Sequence, residues 1–427
     1  FSLLVTKALF GLDPSGWHAT DLALHTGAAV LLLAALVRAT GDPLRSALVA
    51  GLFALHPLRV ESVAWASERR DVMCVFFWMA AVLAHVRYAE RPSRWRGAAV
   101  LAASTVALLS KSMAVTLPAS LLLLDVWPLG RIRIDAGVRE AWIGLRPCLR
   151  EKLPLFALAA AVAAVTFYAQ REVGAMHGVD PLPPAIRLQN AAVSTVEYAR
   201  RFLWPADLVF FYPFDARTLT PLRVGGAAVG LALGALLAVR ARRSAPAVTV
   251  GLLWYAGTLL PVIGLVQVGS QASADRYTYL PSIGLALAIA WALPDSLLAT
   301  PLRRRITVSI GIAWLALLGF LTARQVTFWR DGDALYGRAL AVDPANAVAH
   351  YELGRLRVAQ GRVPDAGAHL EKGARGMPRS ADAQADLGAA LGAVGRTAEA
   401  ERAFARALEI APRSVGARLG LGRLLVE

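Results

Sequence analysis

Three prolines toward the end of the chain, Pro344, Pro378 and Pro412, stand 34 residues apart. A period of this length marks a repeated helix pair, in which each pair stacks on the next to form a solenoid. Other positions keep the register: Gly354, Gly388 and Gly422, each preceded by a leucine (Leu353, Leu387, Leu421). Ala366 and Ala400 repeat likewise, followed four residues later by Leu370 and Phe404. Small residues belong where two helices cross closely, large ones fill the space between pairs, and proline ends the second helix because it cannot continue it. The pattern predicts complete units at 347–380 and 381–414 and half units at 331–346 and 415–427. The expected division is a body at 1–325 and a repeat arm at 326–427. Because about three units are usually needed for a stable stack, and because Phe1 opens in mid-pattern, the chain reads as a piece of a longer protein.

The body is of membrane type. Over the whole chain 56% of residues are hydrophobic, and a spanning helix needs about 20 apolar residues in succession. Ten candidate spans follow, some short: 20–38, 45–57, 71–89, 97–111, 113–128, 153–170, 222–240, 247–268, 279–298 and 306–323. The predicted class is therefore an all-α polytopic helix bundle followed by an α-solenoid. The net charge of +15 would suggest nucleic acid in a soluble protein, but here much of it sits in alternate short loops. These hold Arg87, Arg91, Arg94 and Arg96, then Arg131 to Lys152, then Arg240 to Arg243, then Arg303 to Arg305. Such loops face the cytoplasm by the positive-inside rule, which puts the other loops and the arm outside. Nucleic acid is excluded as the partner on this distribution. The two cysteines, Cys74 and Cys148, are too few for a disulfide framework. Segment 187–204 is amphipathic, so it is expected to lie on the outer surface, or else to tilt through the bundle.

Four polar constellations interrupt the apolar sequence. The first runs from His56 to Asp71 (HPLRVESVAWASERRD) and contains Glu61, Trp65, Glu68, Arg69, Arg70 and Asp71. Charges at membrane depth are costly and mark a site or a partner; arginine–glutamate pairing in an ordinary interfacial loop is the competing reading. The second, Gly269 to Ser282 (GSQASADRYTYLPS), contains Asp275, Arg276, Tyr277 and Tyr279. An arginine with two tyrosines suits a phosphate head group, and tyrosines are also ordinary at a membrane interface. The third is the lone Lys111 between two apolar runs, either a phosphate contact or a span end. In the fourth, His18, Asp21 and His25 lie on one helical face, which metal binding or a polar helix start would both explain.

Together GLDPSGWHATDLALH, LFALHPLRVESVAWASERRDV, LLSKSMAVTLPASLLLLDVWPLG and LVQVGSQASADRYTYLP, in this order and followed by the repeats, resemble the transmembrane and tetratricopeptide-repeat proteins. These are relatives of the protein O-mannosyltransferases with the GT-C membrane fold. The resemblance implies transfer of a sugar, mannose at family level, from a polyprenyl-phosphate carrier to a Ser or Thr hydroxyl of a protein. It implies inversion at the sugar, on the outer side of the membrane. Such a reaction needs a carboxylate to accept the hydroxyl proton and cationic groups to stabilise the departing phosphate. The family base is expected in a first outer loop, upstream of Phe1, so the catalytic residue is left open, with Glu61 and Asp71 as candidates within this chain. His56, Arg69 and Arg70 are assigned to the carrier phosphate or sugar, Lys111 and Arg276 to the phosphate, and Asp275, Tyr277 and Tyr279 to the same site. No metal site is assigned, and divalent-metal dependence stays open. The arm, with Arg355, Arg357, Arg362, Arg396, Arg402 and Arg406, is expected to hold the acceptor or a partner protein. Its arginines suit an acidic segment or simply a solvated face.

The competing class is a non-catalytic scaffold that gathers envelope proteins through its repeats. A transporter would show duplicated spans and interrupted helices around a midplane site, but no duplication is evident and the polar clusters lie at one surface. The Ala-, Arg- and Leu-rich composition points to a bacterial inner membrane with the arm in the periplasm.

Overall fold

The computed structural model describes residues 2–135, 137–172, 182–265 and 271–426. Among these the chain is almost wholly helical, with nineteen α-helices and two strands of two and three residues. It is an all-α polytopic membrane protein, as the apolar runs predicted. Two compact units are present: Phe1–Ala206 with Asp215–Gln325, and Asp207–Phe214 with Val326–Glu427.

The first unit contains α1 (Ser2–Phe10), α2 (Pro14–Thr40), α3 (Pro43–Leu55), α4 (Val60–Ala64), α5 (Arg69–Glu90), α6 (Arg94–Ser110) and α7 (Leu117–Val126). It continues with α8 (Val138–Glu172), α9 (Pro184–Leu203), α10 (Pro221–Ser244), α11 (Pro246–Leu259), α12 (Ser282–Ala292) and α13 (Pro301–Thr327). Local chemistry sets the boundaries. Asp13 caps α2 by accepting from the Ser15 amide, Pro14 occupies the first turn, and Gly41 ends the helix at φ 69°, a conformation that glycine adopts without strain. Asp42 then caps α3, with Pro43 behind it.

All ten runs contain helix, but they are not ten full-length spans. Among the described residues five helices are long and apolar enough to cross a bilayer: Pro14–Thr40, Ala66–Glu90, Val138–Ala169, Pro221–Ser244 and Pro301–Thr327. The pair Pro43–Leu55 and Pro57–Ala64 is together apolar and long enough for a broken span or a re-entrant loop, and is bent by 52° where Pro57 cannot donate to the preceding turn. Ser112–Val126, Pro246–Leu259 and Ser282–Ala292 are shorter; the 11 residues of α12 reach only about 17 Å, roughly half a bilayer core. The expected spans 247–268 and 279–298 counted apolar residues that fold as turns, Leu260–Leu265 and Tyr279–Pro281. The end of the first of these, 266–268, lies outside the described residues. Segment 187–204 is helical as α9 and buries one side, including Asn190, Ser194, Tyr198 and Arg201.

Close packing organises the core. Gly251 and Gly284 bring α11 and α12 into backbone contact, since a Cβ on Gly251 would lie 2.4 Å from the Gly284 carbonyl oxygen. Trp78 and Trp254 are both buried and meet at 6.1 Å. Cys74 and Cys148 are free and buried.

The second unit contains α14 (Gly332–Val342), α15 (Ala347–Ala359), α16 (Val363–Gly376), α17 (Ala381–Ala393), α18 (Thr397–Ile410) and α19 (Val415–Val426). The 34-residue register read from the prolines recurs in its caps and turns. Asn346 and Ser380 cap α15 and α17, and Gly361 and Gly395 turn each pair at φ 74° and 77°. Gly354 faces Leu370 and Gly388 faces Phe404 across each pair, with an added Cβ 2.7 and 2.9 Å from those side chains. Ala366, Leu370, Ala400 and Phe404 form the buried layers between them. The expected basic residues are largely neutralised on the surface: Arg355 by Glu352 and Asp386, Arg357 by Asp333, Arg362 by Asp365, Arg396 by Glu371 and Glu399, and Arg406 by Glu409.

Candidate functional site

The first two polar constellations and Lys111 converge at one end of the bundle. The Pro57 break leaves α4 short, so Glu61 stays at this end instead of continuing into the bilayer. The Glu61 carboxylate accepts from the Arg276 backbone amide at 2.8 Å and from its guanidinium. Arg276 Nε lies 3.8 Å from Glu68, and its Nη2 donates to Gln271 Oε1 at 3.2 Å. Its guanidinium carbon is 5.5 Å from the Trp65 ring centre and 5.1 Å from that of Tyr277. Burial is the largest single influence and works against the Arg276 charge, but Glu61, Tyr277 and Glu68 together outweigh it, and the group is held above the ordinary arginine range.

Glu68 joins this arginine to a second branch. Arg70 donates to both its oxygens, at 3.2 and 3.0 Å, and Lys111 lies 3.8 Å away. Lys111 is the C-cap of α6, and the helix break there turns its ammonium onto Asp71 in the first turn of α5. The second oxygen of Asp71, buried, has no partner among the described residues. Three carboxylates and three cations thus alternate in one cluster. Lys111 and Arg276 are mostly buried and Arg70 is 60% exposed.

The other predicted residues turn elsewhere. His56 is fully buried: its Nδ1 accepts from the Leu58 amide, so its Nε2 donates to the Phe202 carbonyl at 2.9 Å, with the ring stacked on Phe202. Arg69, 1% exposed, donates to Asp21 at 2.6 Å, to Thr6 and to the Trp17 carbonyl. Asp275 accepts from Arg201 at 3.2 Å, and the Tyr279 hydroxyl meets His25 Nδ1 at 2.7 Å. Burial pushes the Tyr279 phenol well above its ordinary range. The His18–Asp21–His25 face divides: His18 is exposed, while Asp21 and His25 are committed to Arg69 and Tyr279. Among the described residues no three His, Cys, Asp or Glu side chains form a group able to hold a metal. Residues 269–270, the start of the second constellation, lie outside the described residues.

Sequence reasoning gave Glu68 no role, although it touches all three cations. It also passed over Arg59, like Arg69 a fully buried arginine of the first constellation, which donates to the Tyr279 carbonyl at 2.6 Å and to Ser282 Oγ at 2.8 Å. These bonds hold the turn that presents Arg276. The signal was available: an arginine between Leu58 and Val60 in an apolar run needs a buried partner.

A second network lies about 21 Å along α5, 14 residues from Asp71 at 1.5 Å each. There Asp125, fully buried, accepts from His85 Nε2 and Arg131 Nη1, both at 2.9 Å, and from Lys152 Nζ at 2.5 Å. Arg131 also forks onto Glu151, at 2.6 and 2.7 Å.

The fold and this cluster define a polytopic helical membrane protein with alternating buried charges at one end and a helix-pair arm. No family model matches the chain. It is similar to the human protein O-mannosyl-transferase TMTC4, 24% identical over 398 residues, which covers 81% of this chain and 53% of that protein. The Caenorhabditis elegans protein O-mannosyl-transferase F38B6.6 is 23% identical over 385 residues, 86% and 51% of the two chains. The human protein O-mannosyl-transferase TMTC1 is 26% identical over 418 residues, 88% and 47%. The resemblance read from the motifs is thereby borne out, and the chain spans about half the length of the curated relatives it matches.

Proposed function

We propose that this chain carries the membrane body and repeat arm of a GT-C glycosyltransferase that moves a sugar, mannose in the first instance, from a polyprenyl phosphate to protein Ser or Thr hydroxyls. The observation that carries the reading is the convergence of Arg276 and Lys111 on one carboxylate cluster at the end of the bundle. The similarity to proteins named O-mannosyl-transferases along most of the chain supports it. In the reaction the hydroxyl oxygen attacks the anomeric carbon from the face opposite the phosphate. The carbon–oxygen bond to phosphate breaks, its electron pair leaves with the phosphate, and the hydroxyl proton passes to a carboxylate. Arg276 and Lys111 would stabilise the departing phosphate, with Arg70 at the exposed rim. Glu61 and Asp71, already accepting from these cations, would position them.

The Arg276 end is assigned to the outer face, because the arginine-rich loops lie at the other end. On this reading the setting is a bacterial inner membrane, and the repeat unit is periplasmic and holds the acceptor protein. The test uses the full-length parent in membrane vesicles with radiolabelled polyprenyl-phosphate mannose. Arg276→Ala is expected to lower label arriving on protein by about a hundredfold, the usual loss of one transition-state charge contact. Undiminished transfer removes Arg276 from the phosphate role. If even the parent transfers no label from mannose or other prenyl-linked sugars, while the arm still captures envelope proteins, the scaffold reading replaces the enzyme.

A further inference from the structure

A half-open cleft of about 250 Å³ lies at the arginine-rich end of the bundle, between α5, α6 and α8. Its wall is apolar, with Ala98, Leu101, Pro154 and Leu155, and its floor is polar, with Glu151 and Lys152. The floor is already satisfied: Lys152 is paired with Asp125 and Glu151 with Arg131. A charged ligand therefore has nothing to gain there, whereas an uncharged chain fits along the wall.

The mouth differs. The α5–α6 turn carries Arg87, Arg91, Arg94 and Arg96 against a single acid, Glu90, which Arg38 already neutralises. Arg96 Nη1 donates to the Arg87 and Arg91 carbonyls, at 2.7 and 3.0 Å, and so closes the end of α5. The side chains of Arg87, Arg91 and Arg94 are exposed and have no carboxylate partner among the described residues. Trp95, 80% exposed, sits in the same turn, and tryptophan with arginine at a helix end marks the head-group level of a bilayer. Leu101, nearly two turns further along α6, is half-exposed where a lipid tail would run.

We propose that this cleft binds one anionic phospholipid, its phosphate against Arg91 and Arg94 and an acyl chain along Ala98, Leu101 and Leu155. Excess positive charge at the mouth supplies the head-group preference, and the apolar wall distinguishes a lipid from a free phosphate ion. The site is at the opposite end from Arg276 and does not depend on the glycosyltransferase reading.

The test is native mass spectrometry of the chain in detergent, with phosphatidylglycerol and phosphatidylethanolamine of identical acyl chains added at equal concentration. The expected result is one retained phosphatidylglycerol in clear preference. Two variants should each lower that adduct by about tenfold or more: Arg91→Glu with Arg94→Glu, which reverses the mouth charge on an exposed turn, and Ala98→Trp, which fills the wall without changing charge. The thermal midpoint of each variant checks that it is folded. Equal retention of the two lipids, or a phosphatidylglycerol adduct that survives both variants, overturns the proposal.

Discussion

The two charge networks of the bundle are built from the same residue types and close differently. At the Asp125 end three donors converge on one carboxylate, and each of its oxygens is taken. At the Arg276 end the charges form a chain, Glu61–Arg276–Glu68–Lys111–Asp71, with Arg70 projecting outward and one Asp71 oxygen without a partner. A buried carboxylate surrounded by donors is a staple, because leaving any partner alone in low dielectric is costly. An open chain of charges can exchange one contact for a ligand without leaving the rest uncompensated. The difference explains why only the Arg276 end is a candidate for sugar transfer, though both bury aspartate.

The comparison can be broken most directly at Asp125. Asp125→Ala strands His85, leaves Lys152 only the Cys148 carbonyl and Glu151 at 3.8 Å, and removes half the pairing of Arg131. It should destabilise the first unit by about 3–5 kcal/mol, the usual consequence of removing one partner from a buried pair. Tryptophan fluorescence during thermal unfolding in detergent measures it, and a loss under about 1 kcal/mol would show that the network is no staple. Lys152→Met is the milder version: Asp125 keeps two donors, and the loss should fall to about 1.5–3 kcal/mol, the range for one hydrogen bond to a charged group. A cost equal to that of Asp125→Ala would mean that Lys152 alone holds this end together.

At the other network Asp71→Asn preserves the shape of the side chain and one contact to Lys111. Stability should change by only about 1 kcal/mol, while sugar transfer by the full-length parent falls about tenfold or more. If stability drops as far as for Asp125→Ala, the two ends do not differ and the open chain is structural as well.

The smallest effect lies in the second unit, where charges are in contact with water. His350 Nε2 faces the Pro344 carbonyl at 3.1 Å, so its Nδ1 accepts from His369 Nδ1 at 2.8 Å. Burial lowers both histidines below the ordinary value, helped for His369 by His350 and Lys372. The unfolded chain therefore takes up protons first. The stability from this pair is present above about pH 6.5 and is lost as pH falls below that value. Amide protection in α15 and α16, taken relative to the intrinsic base-catalysed exchange rate, should fall between pH 7 and 5, and His369→Asn should flatten that change. Protection independent of pH would show that the histidines do not titrate with folding.

Much of the helical frame was legible in the sequence because its causes are local. The 34-residue period survives as caps at Asn346 and Ser380 and turns at Gly361 and Gly395. The Pro57 break and the C-cap at Lys111 were readable from residue type and position. Span length was less legible, because hydropathy does not distinguish an apolar turn such as Leu260–Leu265 from a helix. The site was readable as a set of segments and not as a geometry. Arg69 and Arg70 are neighbours in one motif, yet on a helix successive side chains diverge by about 100°; Arg69 turns inward to Asp21 and Arg70 outward to Glu68.

The sequence by itself determined that this chain is a set of membrane helices with a helix-pair arm, and which segments carry charge into the bilayer. Apolar length, proline, glycine and capping residues act within a few positions of themselves. Only the tertiary structure decided that Glu61 meets an arginine 215 residues away, and that Asp125 draws in His85 and Lys152 from two other helices. Partner choice among buried charges depends on which helices pack together, and on the requirement that no charge removed from water be left alone.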